Sequence, residues 1–366
     1  MMDNSFIALG LMSGTSMDGI DASIIKSDGE DNLEIIDNEY FEYPYDFKKK
    51  LSVFIKNTDS NKYINENIDV YKSLEREITL YHSHISKNII QKNHSKIQLV
   101  GFHGQTIIHR PKDGYSIQMG DAKLLSQVLK LKVIYNFREN DIKNGGEGAP
   151  LTPIYHKLLS KKINLVNPTL ILNIGGISNY TYFFKNEIRA KDVGPGNVLI
   201  DEYLKKVKGI KYDKNGIIAS SGIINYDVIK QFYEHEFYNT KDRHSYDRNE
   251  FDFSFVKGLG FEDAVATLTY FTAFIISENI KKSYDKKIDL ILCGGGRKNL
   301  TLVKHLKKLL KFNIKTIDEF NIDGDFIESQ AFAYLSIRSY LKKPLSYPST
   351  TNVITPVTGG DIKINY

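Results

Sequence analysis

The order of secondary-structure elements predicted along the chain is the feature that most restricts its fold. The first half opens with an apolar run at residues 6–9, turn residues at 13–16 and alternating apolar residues from Ile20, which together predict a strand hairpin. The second half opens with a strand over residues 169–173 and a hairpin through 180–184. Strands and helices then alternate in each half. This order predicts two α/β domains of similar construction that face each other across a cleft.

Length and composition agree with this fold class. A chain of 366 residues is long enough for two domains, because single cores stop growing near about 250–300 residues. It is 41% hydrophobic and 25% charged, as is typical of globular proteins. The single cysteine, Cys293, excludes an internal disulfide and a Cys-x-x-Cys metal site. With no long apolar run and no secretory signal, we expect a cytoplasmic protein without a membrane partner.

The placement of charged residues and histidines argues against a nucleic-acid partner and against a histidine metal site. The chain has 49 basic and 44 acidic residues, and its lysine runs lack interleaved aromatic residues, so no nucleic-acid partner is expected. The nine histidines show no His-Glu-x-x-His or similar metal spacing. His82 and His84 lie in a charged helical stretch, where we expect both side chains to be exposed.

Glycine placement indicates where a ligand binds. Fifteen of the 26 glycines fall into five short segments, at residues 10–19, 101–104, 145–148, 175–196 and 294–296. Each segment is expected to end an apolar strand, where glycine lets the backbone approach a ligand closely. Several such segments predict a polyanion held from more than one side. The lysine-based P-loop pattern GxxxxGK[ST] is absent, so a Walker A loop is excluded.

The first segment, residues 10–21, is a predicted hairpin tip rich in small donors. Its backbone N–H groups and the hydroxyls of Ser13, Thr15 and Ser16 can surround a phosphate. Asp18 and Asp21 could hold Mg²⁺, directly or through water. The alternative is a plain β-turn with two surface aspartates. In the second half, Gly175 and Gly176 follow a buried strand, and the glycines at 294–296 precede a helix, which suits phosphate, ribose or base but equally a tight connection.

Asp192 carries the sharpest hypothesis. It precedes the sequence Val-Gly-Pro-Gly-Asn, whose stiff turn would hold the carboxylate at the mouth of the cleft. A carboxylate there can take a proton from an attacking water or hydroxyl; the alternative is a cap for the helix that follows. His103 is as consistent with a structural histidine as with a ligand contact, and Glu328 either caps the last helix or reaches the ligand. We assign candidate substrate contacts to polar and glycine residues near these turns, namely His103, Gln105, Thr106, Arg138, Asp141, Gly194, Asn197 and Glu328.

Taken together, these segments resemble the anhydro-N-acetylmuramic acid kinase family. The resemblance rests on motifs in the family's order across nearly the whole chain: GLMSGTSMDGID at 10–21, GFHGQT at 101–106, NFREND at 136–141, GGEGAPL at 145–151, LNIGGISN at 172–179, DVGPGN at 192–197, CGGG at 293–296 and ESQAFAYL at 328–335. It implies an actin-like ATPase (ribonuclease H-like) α/β fold of two domains with an inter-domain cleft. We place domain 1 at residues 1–140 plus about 342–366, and domain 2 at 141–341.

The family reaction uses ATP to open 1,6-anhydro-N-acetylmuramic acid with water and to phosphorylate O6, in peptidoglycan recycling. By this resemblance Asp192 activates the water, ATP with Mg²⁺ is the phosphoryl donor, and a homodimer is possible. The same resemblance implies ATP contacts at Gly14, Thr15, Ser16, Met17, Asp18, Gly19, Ile20, Asp21, Gly175, Gly176, Gly294, Gly295 and Gly296. Glu139, Glu147 and residues 245–251 depart from the family pattern. The alternatives are a kinase for another sugar or small acid, and a non-catalytic ATPase of the Hsp70/actin type.

Overall fold

The computed structural model describes residues 5–14, 16–94, 96–165, 167–185, 187–233, 251–284 and 288–366. The chain divides into two compact units. Unit 1 comprises Met1–Asn164 and Phe326–Tyr366, and unit 2 comprises Leu165–Asp325. The domain limits given above stay a prediction; in the structure the long helix after residue 326 packs on the sheet of unit 1.

The strands and helices alternate broadly as the sequence predicts. The strands are β1 (Phe6–Ser13), β2 (Gly19–Ser27), β3 (Leu33–Glu42), β4 (Leu99–Arg110), β5 (Tyr115–Met119), β6 (Lys132–Tyr135), β7 (Thr169–Ile174), β8 (Ile177–Phe184), β9 (Glu187–Pro195), β10 (Asp289–Cys293), β11 (Asn313–Thr316) and β12 (Asp361–Lys363). The helices are α1 (Tyr45–Asn57), α2 (Asn61–Glu66), α3 (Ile68–Asn93), α4 (Ala122–Leu129), α5 (Glu139–Lys143), α6 (Pro153–Lys162), α7 (Val198–Lys208), α8 (Ile217–Ser221), α9 (Tyr226–Tyr233), α10 (Phe261–Ser283), α11 (Leu300–Leu309), α12 (Ile327–Tyr340) and α13 (Pro348–Thr351).

The two sheets share one strand order. In unit 1 the order is β3-β2-β1-β4-β6, with β12 beyond β6 and β5 paired to β4, and in unit 2 it is β9-β8-β7-β10-β11. In each sheet the first three strands of the unit are antiparallel, and the next two continue parallel to the first. This repeated order is that of the ribonuclease H-like domains of actin-like ATPases, so the predicted fold class is confirmed.

In unit 1 one face of the sheet is covered by apolar residues of α1, α3 and α4. Ile20, Ala22 and Ile24 alternate along β2 and are fully buried in this core, as the period of two in the sequence predicts. On α3 the buried residues Ile78 and Ile85 lie two turns apart and face the same core. The alternation therefore decides which residues of β2 face this core.

In unit 2 the core forms on both sides of helix α10. Ala273, Ile276 and Ile280 face a cluster built on β7 and β10, whereas Leu268 and Phe271 face a second cluster that includes α7. Because two faces are covered, the sequence of α10 is apolar nearly all round. Across the described ranges, no helix combines the length and apolar character needed to cross a bilayer.

The opposite face of the unit 1 sheet is covered by α12, which lies unusually close to two strands. A Cβ atom on Gly10 of β1 would overlap the Ser329 carbonyl oxygen, and one on Gly101 of β4 would overlap the Phe332 carbonyl oxygen. These two glycines thus serve helix–sheet packing. The prediction that each glycine segment ends a strand is wrong for residues 101–104, because β4 continues past them to Arg110, whereas the segment 10–19 contains the end of β1 at Ser13.

Strand β4 is longer than its sequence predicts. The apolar run at residues 97–102 predicts a strand that ends at Phe102, but β4 runs to Arg110 because β5 pairs back onto it. The positive φ of Gly104 (72°) lets the strand continue where a side chain would be strained. The sequence also predicts a helix over residues 223–238. The structure has α9 (Tyr226–Tyr233) within this range, and residues 234–238 lie outside the described residues.

The expectation that His82 is exposed is wrong, whereas His84 is exposed as expected. His82 lies on the buried face of α3, where Nδ1 is 2.9 Å from the Ile78 carbonyl oxygen and the ring packs on Phe102. Burial lowers the pKa of His82 to about 4 and that of the buried His156 to about 3. Burial, followed by the charge of Arg138, lowers the pKa of His103 well below 6.5.

We predict that Gly10→Ala destabilises the protein by about 3 kcal/mol or more, because the new methyl group must displace helix α12 from the sheet. The matched control is Gly114→Ala, because a Cβ at Gly114 meets nothing within 4 Å and so causes no clash. The only expected cost is about 1–2 kcal/mol of backbone strain, since an alanine there must adopt a φ of 84°. Urea denaturation measures both, and equal losses in the two variants would contradict the account of α12 packing.

We also predict that stability falls as the pH is lowered from 6.5 toward 4. The unfolded state protonates each histidine near pH 6.5, whereas His82, His103 and His156 stay neutral in the folded state, so unfolding takes up protons in this window. Each contributes a slope of about 1.4 kcal/mol per pH unit. Denaturation curves across this range should show a smaller slope for His82→Gln, with the exposed His84→Gln as control. An unchanged slope in His82→Gln would contradict the prediction.

Candidate functional site

The loop between β1 and β2 is anchored at its base by buried hydrogen bonds. The Ser13 hydroxyl lies 2.7 Å from Gln105 Oε1 and donates to it, and it accepts a 3.0 Å bond from the Tyr43 hydroxyl. Ser13, Tyr43 and Gln105 are all buried. The start of the loop is therefore fixed to β4, and sequence reasoning missed the contribution of Tyr43.

The described residues of the loop combine exposed side chains with accessible backbone. Gly14 is half-buried, Ser16 is exposed, and Met17 turns the chain with a φ of 58° and an N–H bond to the Gly14 carbonyl oxygen. The side chain of Ile20 lies in the core, so this residue could offer a ligand only its backbone. A Cβ on Gly19 would overlap the Phe41 carbonyl oxygen. Thr15 lies outside the described residues.

The two aspartates proposed for magnesium stand in different surroundings. Asp18 forms an ion pair with Lys48 of α1, and Asp21 lies within β2, between Met12 and Tyr40 of the neighbouring strands. Within the described ranges, no three His, Cys, Asp or Glu side chains come together in a group that could hold a metal ion. These residues thus do not form a protein-only metal cage, and a metal role for Asp18 or Asp21 stays a prediction.

His103 and Arg138 contact each other directly in unit 1. Arg138 donates to His103 Nε2 from Nη2 at 2.9 Å and from Nε at 3.2 Å, and His103 Nδ1 lies 2.8 Å from the Gly104 carbonyl oxygen. These partners require a neutral imidazole with its proton on Nδ1. The histidine therefore orients the guanidinium, whose Nη1 also donates to the Gly148 carbonyl oxygen at 2.7 Å.

Glu328 lies in the first turn of α12 and acts on Arg138 through its charge. Burial lowers the pKa of Arg138 to about 10, and the negative charges of Glu328 and Asp141 oppose that shift. The packing of α12 on the sheet thus brings an acidic residue near a buried cation. Phe332 of the same helix packs against the His103 ring, with ring centroids 4.5 Å apart.

Asp141 is buried, and its contacts within unit 1 are structural. One carboxylate oxygen accepts the Gly148 N–H at 2.6 Å, and the other accepts the hydroxyls of Ser346 and Thr351. A Cβ on Gly146 would overlap this carboxylate. The residue therefore fixes the glycine-rich segment 145–148 against the C-terminal segment.

Gln105 and Thr106 lie on β4 beside the same region. Besides its bond with Ser13, Gln105 donates from Nε2 to the Thr106 carbonyl oxygen at 3.3 Å. The Thr106 hydroxyl accepts from Gln118 Nε2 at 3.4 Å. Both side chains thus have partners inside unit 1, and their assignment as substrate contacts stays a prediction.

A cavity of about 210 Å³ opens next to His103. It lies at the carboxyl end of β6 and beside residues 102–104 of β4, and α/β sheets commonly bind ligands at the carboxyl ends of their strands. Its wall combines apolar surface with amide, hydroxyl and phenol groups, from Phe102, His103, Gly104, Ser116, Ile117, Gln118, Gly120, Tyr135 and Asn136. Such a wall suits a small polar ligand.

In unit 2 the predicted glycines come together at the carboxyl ends of β7 and β10. The Gly176 carbonyl oxygen accepts the N–H of Gly196 at 2.8 Å, and that of Gly175 accepts the N–H of Asn197 at 2.8 Å. A Cβ on Gly196 would overlap the Gly175 carbonyl oxygen. The turn after β7 is therefore joined directly to the start of α7.

The turn after β10 meets the same place. A Cβ on Gly294 would overlap Asn173 Oδ1, one on Gly296 would overlap the Ile174 side chain, and one on Gly295 would lie 3.8 Å from Asn197 Nδ2. We call Gly175, Gly176, Asn197 and the three glycines at 294–296 the glycine cluster. It exposes backbone at the N-terminus of the long helix α7, an arrangement suited to phosphate.

Asp192 lies within β9, two residues before Gly194, and pairs with Asn179 of β8. The sequence places it just past a strand, and this detail is wrong because β9 continues to Pro195. A register shift follows at Val193, and Gly194 has a φ of 127°, where a Cβ would overlap the Ile275 side chain. The carboxylate thus stands where the strand turns toward the glycine cluster.

Sequence reasoning missed Arg297, the residue that follows the glycines at 294–296. Its side chain is only 3% exposed and contacts three aspartates, Asp318, Asp323 and Asp325. A basic residue directly after a glycine run, with an acidic segment about 20 residues later, is the signal that could have identified it.

Comparison with known proteins gives a consistent result along the whole chain. The family model described as anhydro-N-acetylmuramic acid kinase matches residues 6–364. The anhydro-N-acetylmuramic acid kinase of Pelagibacter ubique (strain HTCC1062) is 48% identical over 375 residues, which cover 100% of both chains. Those of Zymomonas mobilis subsp. mobilis and Methylorubrum populi are 37% and 36% identical, and the alignments cover 97% and 96% of this chain and 99% and 97% of theirs.

Proposed function

This chain belongs to the anhydro-N-acetylmuramic acid kinase family, and we propose that it uses ATP to convert 1,6-anhydro-N-acetylmuramic acid to N-acetylmuramic acid 6-phosphate in peptidoglycan recycling. The observation that carries the proposal is the family match over residues 6–364, which includes every motif of the candidate site. Kinases for other sugars or small acids and non-catalytic ATPases are not favoured, because the full-length relatives share one name.

The glycine cluster is the proposed site for ATP phosphates in unit 2. Backbone N–H groups at the N-terminus of α7 and flexible glycines at the ends of β7 and β10 can approach an anion closely. In unit 1 the loop from Ser13 to Gly19 offers backbone groups in the same way. The sugar is proposed to occupy the cavity beside His103, where the Arg138 charge can attract an anionic group.

We assign the role of general base to Asp192. It takes a proton from water, the water oxygen bonds to the anomeric carbon, and the bond from that carbon to the bridging O6 breaks. The released O6 then attacks the γ-phosphorus of ATP, and ADP leaves with the electron pair of the broken phosphoanhydride bond. The position of Asp192 beside Gly194, where β9 turns toward the glycine cluster, supports this assignment.

Magnesium is proposed to arrive with the nucleotide. Because the described side chains do not form a metal cage, its ligands would come chiefly from ATP phosphates and water, as is common for this ion. A cytoplasmic location, where ATP is available, and a homodimer remain proposals.

We predict that Asp192→Asn lowers kcat by about a hundredfold or more, the range expected for loss of a general base, while ATP still binds. The matched control is Asp227→Asn, which removes an exposed carboxylate from α9 in the same unit. ADP release with Mg·ATP and the anhydro-sugar measures turnover, and calorimetry measures nucleotide binding. A near wild-type kcat in Asp192→Asn would show that another residue is the base, whereas no ADP release from the wild-type protein would refute the proposed function.

A further inference from the structure

The loop after β10 carries Gly294, Gly295 and Gly296. The buried side chain of Arg297 hydrogen-bonds to this loop. Arg297 donates from Nε and Nη2 to the two carboxylate oxygens of Asp318, at 2.6 and 2.8 Å. From Nη1 it donates to Asp325 Oδ1 at 2.6 Å and to the Gly294 carbonyl oxygen at 3.0 Å. One side chain therefore joins the glycine loop to the segment that follows β11.

Arg297 has its hydrogen-bonding capacity filled within the protein. Its remaining Nη2 donor is directed to Asp323 Oδ1, at the longer distance of 3.4 Å. Every N–H group of the guanidinium thus has an acceptor on this chain. An arginine next to a phosphate-binding loop commonly suggests an anion ligand, but this one has no donor left for a phosphate.

The charge balance around Arg297 leads to the same conclusion. Asp318 and Asp325 surround the cation, and Lys298 also pairs with Asp325. Hydrogen bonding to Arg297 lowers the pKa of Asp318, so the ion pair persists at neutral pH. A phosphate group brought to the guanidinium would have to displace the Asp318 carboxylate, which already binds it in bidentate fashion.

The contacts of the loop show what the arginine holds in place. Gly294 has a φ of 75°, its N–H donates to the Gly324 carbonyl oxygen at 3.3 Å, and its own carbonyl oxygen accepts from Arg297. A Cβ on Gly324 would overlap the Arg297 guanidinium, so the opposite segment must approach closely. The positive-φ conformation of Gly294 is thereby fixed by hydrogen bonds to its N–H group and to its carbonyl oxygen.

From this geometry we infer that Arg297, held by Asp318 and Asp325, is a positioning residue for nucleotide binding: it sets the conformation of the glycine loop and does not itself touch ATP. We call these three residues the Arg297 clamp. The inference rests on the proposed function only in that the glycine cluster binds the nucleotide. It predicts that weakening the clamp reduces nucleotide affinity selectively, because the loop then spends part of its time in other conformations.

The test is Asp318→Asn, which keeps the shape of the side chain but removes the charge of the bidentate acceptor. Calorimetry with a non-hydrolysable ATP analogue should show nucleotide affinity about tenfold weaker, and KM for ATP should rise by a similar factor. KM for the anhydro-sugar should stay within about twofold of wild type, since the sugar residues do not depend on this loop. Arg297→Lys, which keeps the charge but loses the fork, should behave like Asp318→Asn.

The matched control is Asp289→Asn. Asp289 stands at the opposite end of β10 and accepts hydrogen bonds from Asn167 and Asn313, so it tests loss of a carboxylate from the same strand away from the loop. Its nucleotide affinity should equal that of the wild type. If Asp318→Asn does not fold, Asp325→Asn, which weakens a single contact to Arg297, makes the same comparison.

Two results would overturn the inference. Wild-type nucleotide affinity in the folded Asp318→Asn and Asp325→Asn variants would show that the loop does not need the clamp. Equal weakening of nucleotide and sugar binding would show a general structural role. The calorimetric measurement needs no turnover, so a wild-type protein that binds nucleotide but does not phosphorylate the anhydro-sugar would refute the proposed function and leave this inference standing.

Discussion

The close packing of helix α12 on its sheet is the constraint on which the arrangement of unit 1 depends. Gly10 and Gly101 leave no Cβ atoms between the helix backbone and the strands, so α12 lies nearer to the sheet than larger residues would permit. This contact places Glu328 where its charge acts on Arg138 and sets Phe332 against the His103 ring. The packing of α12 on the sheet thus determines which groups surround Arg138 and His103 beside the cavity.

In unit 2 the close approach of neighbouring turns likewise depends on glycine, here through contacts between backbone groups. Its glycine cluster forms because Gly175 and Gly176 offer their carbonyl oxygens to the start of α7, and because Gly294 and Gly296 fit against β7 only without side chains. The repeated strand order brings these turns to the same edge of the sheet, since β7 and β10 are parallel neighbours. Glycine is therefore required at this edge for packing, and the proposed phosphate site uses the same residues.

Much of the fold and part of the candidate site could be predicted from the sequence. The alternation of Ile20, Ala22 and Ile24 predicts a strand with these residues in one core, which the structure has. The glycines at 175–176 and 294–296 predict turns, and these turns do come together. These signals are local, because each depends on a few neighbouring residues.

Features that depend on tertiary contacts were not predictable in this way. The burial of His82 is decided by what α3 packs against. The length of β4 is decided by its antiparallel pairing with β5. The role of Arg297 was not identified from the sequence, because its three aspartates lie 21–28 residues away and only the folded chain brings them to one guanidinium.

The central claim of this account is that one protein couples the opening of an anhydro-sugar to phosphoryl transfer. The most direct measurement is the amount of ADP and of N-acetylmuramic acid 6-phosphate formed from ATP and 1,6-anhydro-N-acetylmuramic acid, quantified together by mass spectrometry. The account predicts equal amounts of the two products throughout the reaction. ADP without the phosphorylated sugar, or accumulation of opened but unphosphorylated sugar, would contradict it.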